Sequence, residues 1–230
     1  MLSLQNLAFV LVLLLSSYLT VLCSTPPNPT PARVWKKDAL GYYASSSAAN
    51  IRRILITGFT IFHVALILAL HGVEGICPHL ANLNAQLFKW STYTLTCFLL
   101  IICIGAPLRF MSFQRLGKNF TFNLAQPDRL TTTGIYRYVQ HPSYTGQVVV
   151  LGTNSVLFLR WDGVLACWIP ETVSAILNGW GYIAFSVAFL LMAWKLAQRV
   201  KDEETMLRET FGHEWEKWHH LTKRFIPGVF

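Results

Sequence analysis

Charge is what this chain has least of. Only 13% of its 230 residues are charged and just 11 are Asp or Glu, whereas 53% are hydrophobic. A soluble domain is nearer a quarter charged, so an ordinary soluble fold is excluded and the class is integral membrane. The net charge of +8 raises the question of nucleic acid. The basic residues, however, sit in short loops between apolar spans. The continuous footprint that phosphate binding requires is missing, and no nucleic-acid partner is expected. Cysteine is sparse and odd in number (five), with no CxxC, which indicates neither a disulfide framework nor a zinc ribbon. His71, Cys77 and His79 fit no usual zinc spacing, so they read as a polar loop and no metal is expected. No GxGxxG follows a strand pattern, which removes the soluble Rossmann fold. There is no internal repeat, and the only biased stretch is the Pro-rich connector STPPNPTP, Ser24 to Pro31.

What is present is a series of long apolar runs. Leu4 to Leu22 has about the ~20 residues that a spanning helix needs. It lacks a positive n-region and carries only a weak cleavage-like site, VLCS, so a first transmembrane helix is preferred to a removed signal peptide. Arg33 to Arg53 is polar, with a small-residue run, Ala44 to Ala49, that suits a loop or an interfacial helix. Further spans are expected at Ile54 to Leu70, Ser91 to Phe110 (broken near its end by Pro107), Pro142 to Leu159 and Asn178 to Ala197. His63 on the second span reads as a buried histidine bonded to a neighbour, and Gly146 and Gly152 as small residues for close helix contact. A short apolar piece, Val164 to Ile169, precedes the fifth span. From Gln198 the tail is amphipathic. Leu207, Phe211, Trp215 and Trp218 form one stripe, suited either to a membrane surface or to packing against the loops. The expected fold is all-α and polytopic, with about five transmembrane helices and an amphipathic C-terminal helix, in a single domain over 1–230.

Orientation follows from Lys and Arg. Segments 24–53, 109–143 and 195–230 hold five, five and seven of them; segments 72–90 and 160–177 hold one each. Seventeen against two is a strong bias, and basic loops stay cytosolic. With five spans the N-terminus is then outside or lumenal and the C-terminus cytosolic.

Two polar stretches fall on that cytosolic side. Thr131 to Tyr144, TTTGIYRYVQHPSY, is a basic, aromatic loop running into an apolar helix. Pro142 suits the first position of that helix. The free N–H groups of its first turn attract an anion such as a carboxylate. Arg199 to Glu204, RVKDEE, lies where the last span ends. Arg199 and Glu203 are four apart and share a face. Arg is a fixed cation whose planar fork matches a carboxylate, and a nearby Glu accepts from an amine or from ribose hydroxyls.

GIYRYVQHPSYTG, followed by RVKDEETMLRETFGHEWEKW and a tail ending in IPG, resembles the isoprenylcysteine carboxyl methyltransferases. The likeness covers about 120–228, while 1–23 is the first helix or a signal-like segment. It implies a multi-pass enzyme of the endoplasmic reticulum membrane that uses S-adenosyl-L-methionine to methylate the C-terminal carboxylate of prenylated cysteine. The partners implied are prenylated protein C-termini or prenylcysteine, and the lipid bilayer. By the same resemblance, Leu130, Thr131, Tyr136, His141, Pro142, Ser143, Tyr144 and Glu203 bind cofactor. Arg199 engages the substrate carboxylate, and Glu204 joins Arg199 in the catalytic pair. The family commonly has Arg before HP, where this chain has Gln140. That removes one cation near the methionyl carboxylate, and Arg137 compensates only if the backbone brings it round. Trp215 and Trp218 stand where relatives often have Tyr.

Other readings stay open on the sequence. A phospholipid N-methyltransferase of the same wider family would use Glu203 or Glu204 as a base on an amine, with Arg199 on lipid phosphate. A sterol-reductase-like protein usually has more spans. A non-catalytic membrane relative is kept open by Gln140.

Overall fold

The computed structural model of the chain describes residues 3–29, 31, 33–36, 40–41, 45–69 and 75–228. His71 and the start of the Ala44 run lie outside the described residues. Within them the fold is helical, with one isolated β-bridge, Val139 to Lys223. Helix α1 is Leu4–Cys23, capped by the Ser3 hydroxyl on the Asn6 amide. Helix α2 is Ser46–Leu68, with Ser45 as its cap. It starts eight residues before the second apolar run. The small residues there are helical because Ser45 satisfies a first-turn amide and because Ala48 and Ala49 are buried.

Helix α3, Thr92–Leu99, opens with a reciprocal Ser91/Thr94 capping box. It passes through a widened π turn, Leu100–Gly105, into α4, Ala106–Leu116. With the 3-10 turn Gly117–Asn119, these pieces are one apolar helix, Thr92–Asn119. Pro107 therefore does not end the third span. It lies in the first turn of α4, and the π turn before it absorbs the missing N–H and the ring.

Helix α5, Pro142–Phe158, runs back antiparallel to α3 and α4. Its first turn meets Arg109, and near its end the Val156 carbonyl accepts from the Tyr93 hydroxyl, 2.7 Å. Among the described residues, four helices of 18 residues or more are apolar enough to cross a membrane: α1, α2, α3–α4 and α6, Glu171–Phe211. The fifth apolar helix, α5, has 17 residues, or about 25 Å, at the lower end of the ~17–25 residues that a spanning helix needs. It packs among the other helices.

Between helices in lipid, shape and polar contacts drive association, because lipid tails are as apolar as Leu. Phe9, Leu13, Leu66, Ile67, Phe98 and Leu157 form the main buried cluster. Asn154 donates to the Thr20 hydroxyl, 2.9 Å, and Thr60 donates to the Ser17 hydroxyl, 2.7 Å. Such bonds contribute roughly 0.6–2 kcal/mol each. His63 is fully buried, with Nε2 3.1 Å from the Leu87 carbonyl, so it ties α2 to the loop before α3. At one point α4 and α5 come unusually close. A Cβ on Gly146 would lie 2.8 Å from the Gly105 oxygen and 3.0 Å from the Arg109 amide nitrogen. Gly152 has nothing within 4 Å, so only Gly146 serves the close contact expected of both.

The loops at the far end of α5 are bonded to each other. Cys77 and Cys167, 90 residues apart, form a disulfide. This corrects the expectation from cysteine spacing, which carries no information about loops that meet only in the fold. Asn84 and Arg160 both bond Asp162, and Asn82 donates to the Ile169 carbonyl. The short apolar piece forms a 3-10 turn, Val164–Trp168.

Helix α6 has 41 residues, about 60 Å, twice the bilayer core. Trp161 anchors its start, bonding Asn178 and lying over Gly181. The middle exposes Trp180, Ile183, Leu190 and Trp194. Beyond Ala197 it continues unbroken as the first half of the expected tail, then stops at Gly212 (φ 52°). Helix α7 is His213–Leu221. The aromatic stripe is buried in protein: Trp215 and Trp218 surround Tyr136, with Leu116, Leu130, Ile135, Leu207 and Phe211 against them. Packing against the loop is thus the arrangement adopted.

Candidate active site

The site forms where the first turn of α5 meets the C-terminal half of α6. Pro142 starts α5, and His141 precedes it without capping it by side chain. The residues that follow are thereby aimed at α6. The Tyr144 hydroxyl accepts from Arg199 Nε, 2.8 Å, and donates to Glu203 Oε2, 2.6 Å. One phenol therefore joins the two motifs, 55 and 59 residues apart. Arg199 is buried, and its guanidinium also donates to the Phe122 carbonyl. The i, i+4 spacing of Arg199 and Glu203 makes the shared partner possible.

Glu204 faces elsewhere. It accepts two bonds from Arg224, 2.7 and 2.9 Å, and lies 3.3 Å from His141 Nε2. It sits seven residues, about 10 Å, beyond Ala197, where the expected apolar span ends. Burial alone would raise its carboxyl pKa; the His141 and Arg224 hydrogen bonds override that and hold it down, to about 2. The expected pair of Arg199 and Glu204 is thus divided between two neighbouring networks.

The second network is a clasp made by the C-terminal tail. The Gln140 amide donates to the Lys223 carbonyl, 2.8 Å, and the His141 amide to the Arg224 carbonyl, 2.9 Å. The Gln140 side chain is consumed here as well: it donates to His219 and Thr222 and accepts from His219 Nδ1. Trp218 Nε1 donates to the Tyr136 carbonyl, 2.8 Å. Burial raises the pKa of the Tyr136 phenol, which stays neutral. Gly134 turns this loop with φ 63°, and a side chain there would collide with Arg115. Arg137 is exposed, so it does not supply the cation that Gln140 lacks.

Two cations of this region escaped the sequence reading. Arg224 lies in a tail whose partner is 20 residues back and one helix away. Arg109 was counted among loop charges, although it follows an apolar run, and an ionisable residue within a span is a functional signal in its own right. It is buried, bonds the Ser143 hydroxyl and donates to the Cys23 carbonyl, 3.0 Å. Phe113, Phe120 and Phe122 ring it at 4.8, 5.2 and 5.3 Å.

Chemically, the arrangement offers two buried guanidinium groups and one carboxylate on a shared phenol. The buried Arg109 Nε, Thr131 Oγ1 and Gln147 Oε1 have no partner among the described residues. Unpaired buried polar groups are costly. The set offers donors to an anion and a carboxylate acceptor for a cation or a hydroxyl.

Residues 98–178 match the model of the isoprenylcysteine carboxyl methyltransferase family. The chain is 30% identical over 146 residues to a Schizosaccharomyces pombe protein named protein-S-isoprenylcysteine O-methyltransferase, covering 61% of this chain and 52% of that one. It is 26% identical over 136 residues to a probable protein-S-isoprenylcysteine O-methyltransferase of Oryza sativa subsp. indica (57% and 60%). It is 28% identical over 136 residues to protein-S-isoprenylcysteine O-methyltransferase A of Arabidopsis thaliana (57% and 58%). The chain thus spans 52% to 60% of the length of these curated relatives. No solved structure gives a significant match. The segment matching the family model contains Arg109 and the HPSY turn and ends before Arg199 and Glu203. Through residues 98–178, from α3 to the start of α6, this chain is similar to the isoprenylcysteine carboxyl methyltransferase family.

Proposed function

We propose that this protein transfers a methyl group from S-adenosyl-L-methionine to the C-terminal carboxylate of prenylated cysteine. The observation that carries the reading is the Tyr144 hydroxyl shared by Arg199 and Glu203. It places a carboxylate-binding fork beside a group suited to ammonium or ribose hydroxyls. The residues that would hold the cofactor are Leu130, Thr131, Tyr136, the His141–Tyr144 turn and Glu203. When bound, it supplies an electrophilic methyl on a sulfonium. The substrate carboxylate is already ionised at neutral pH, its reference pKa being ~3.5, so no general base is required. Arg199 orients that carboxylate and Tyr144 keeps Arg199 in place, which aligns the reactants and shields the nucleophile from water. The exposed apolar face of α6 gives the prenyl chain a route from the bilayer.

Glu204 is not suited to be the base of the amine reading. A phospholipid N-methyltransferase needs a carboxylate to take a proton, and this one is held by Arg224 and His141 with its pKa at about 2, which leaves Glu203 alone for that role. We assign Glu204 to the clasp that closes the tail over the HPSY turn.

The reading includes an endoplasmic reticulum membrane with the C-terminus cytosolic. The Cys77–Cys167 bond supports that orientation independently of charge. It lies in the two loops that hold only one Lys or Arg each, and disulfides persist in oxidising compartments such as the lumen.

The test is methyl transfer from labelled S-adenosylmethionine in membranes carrying this protein, with N-acetyl farnesylcysteine or phosphatidylethanolamine as acceptor. Base-labile label on the prenylcysteine is expected. Base-stable label in the lipid would replace this reading with the amine one. Arg199→Ala should reduce transfer strongly while cofactor binding persists; loss of cofactor binding would count against its role.

A further inference from the structure

Arg109 is a permanent cation, 5% exposed, at the cytosolic end of a spanning helix. No carboxylate pairs with it among the described residues. Its partners are neutral: the Ser143 hydroxyl and carbonyl, and the Cys23 carbonyl. Three phenylalanine rings shield it from water, and Nε bonds nothing. A buried charge of this kind is expensive unless an opposite charge joins it.

The position of Ser143 says where that charge would come from. Ser143 follows Pro142 in the first turn of α5, a 17-residue helix, so its N–H has no acceptor within the helix. The helix dipole adds positive potential at the same place. Its hydroxyl accepts from Arg109 and makes no other side-chain bond to the described residues. The guanidinium, the hydroxyl proton and the backbone N–H therefore meet at one residue with no anion among them. The Gly146–Gly105 contact, one turn along α5, presses the two helices together at this level. The adjacent residue, Tyr144, is the link between Arg199 and Glu203.

We propose that Arg109 and Ser143 form the binding site for the α-carboxylate of the cofactor. The inference rests on the methyl-transfer reading. That reaction brings in two carboxylates, one on the substrate and one on the cofactor, and the structure holds two buried arginines beside the HPSY turn. Arg199 takes the first and Arg109 the second. Arg109 thereby supplies the cation that Gln140, bonded to His219 and Thr222, does not.

The experiment compares binding of S-adenosylmethionine and of its decarboxylated form, which lacks only the carboxylate, to the purified full chain and to Arg109→Gln and Arg109→Lys. Wild type should prefer the carboxylated ligand. Arg109→Gln should lose on the order of 10²-fold in affinity for it and little for the decarboxylated form, with Arg109→Lys between. Retained binding of the decarboxylated ligand also shows that the variant is folded. Equal loss for both ligands, or no loss for either, overturns the assignment. A wild type that binds neither ligand overturns the methyl-transfer reading instead.

Discussion

Replacing Gly146 by Ala tests whether close approach of two helices sets the site. The added Cβ would stand 2.8 Å from the Gly105 oxygen, 3.0 Å from the Arg109 nitrogen and 3.0 Å from the Leu108 Cβ. Two of these are backbone atoms that cannot swing aside, so α4 and α5 must separate by about 0.5 Å to restore ordinary contact. Overpacking of this kind costs about 1–3 kcal/mol. Gly152 supplies the control. It lies on the same helix with open space around its Cα, and Ala there should stabilise by up to ~1 kcal/mol through helix propensity alone. Because propensity is common to both, the two variants should differ by about 1–3 kcal/mol in unfolding, read by thermal denaturation in one detergent. Ser143 is one turn from Gly146, so the same displacement should weaken its bond to Arg109. Methyl transfer should fall by roughly 10-fold or more, since a 1 Å misplacement can cost 10²-fold. Equal stability and equal activity of the two variants would refute the reasoning.

Tyr144→Phe removes the hydroxyl that joins Arg199 and Glu203 and leaves both charges without it. With charge-assisted bonds contributing about 1.5–3 kcal/mol each, turnover should drop 10- to 100-fold, and unchanged kinetics would remove Tyr144 from the site. The folded pKa of Glu204, about 2, lies below the ordinary glutamate value of 4.5. Its stabilising contribution is therefore full above pH ~4.5 and disappears as pH falls through about 2. Glu204→Gln should flatten this part of the acid-unfolding curve, and an unaltered acid limb would contradict the clasp. Cysteine-reactive polyethylene glycol should add to Cys77 and Cys167 only after reduction. Reduction should lower the unfolding midpoint, because closing a 90-residue loop is worth up to ~4–5 kcal/mol. Labelling of both thiols without reductant would rule the bond out.

How much was legible beforehand depends on the range of the interaction. The runs at Leu4, Ile54 and Ser91 announce helices because a bilayer-crossing segment must bond its own backbone and be apolar throughout. Lys and Arg counts order the loops for an equally local reason. Pro107 misled because its effect depends on whether the preceding turn widens, and that was settled by the helices packed around it. The aromatic stripe at Leu207, Phe211, Trp215 and Trp218 was visible as a face. What covers it was not, since lipid and the apolar side chains of the loop, Leu130, Ile135 and Tyr136, can each cover such a face.

By itself, the sequence determined the class of the protein, the positions of its spans, the two polar motifs and the family that they resemble. These are properties of contiguous residues, set by composition, periodicity and spacing. Tertiary structure alone decided that Tyr144 joins Arg199 to Glu203, that Arg224 claims Glu204, that Arg109 lies buried at Ser143, and that Cys77 meets Cys167. Each of these pairs is separated by 20 to 90 residues. Their partners are chosen by which helix ends the packing brings together, a choice that no local pattern encodes.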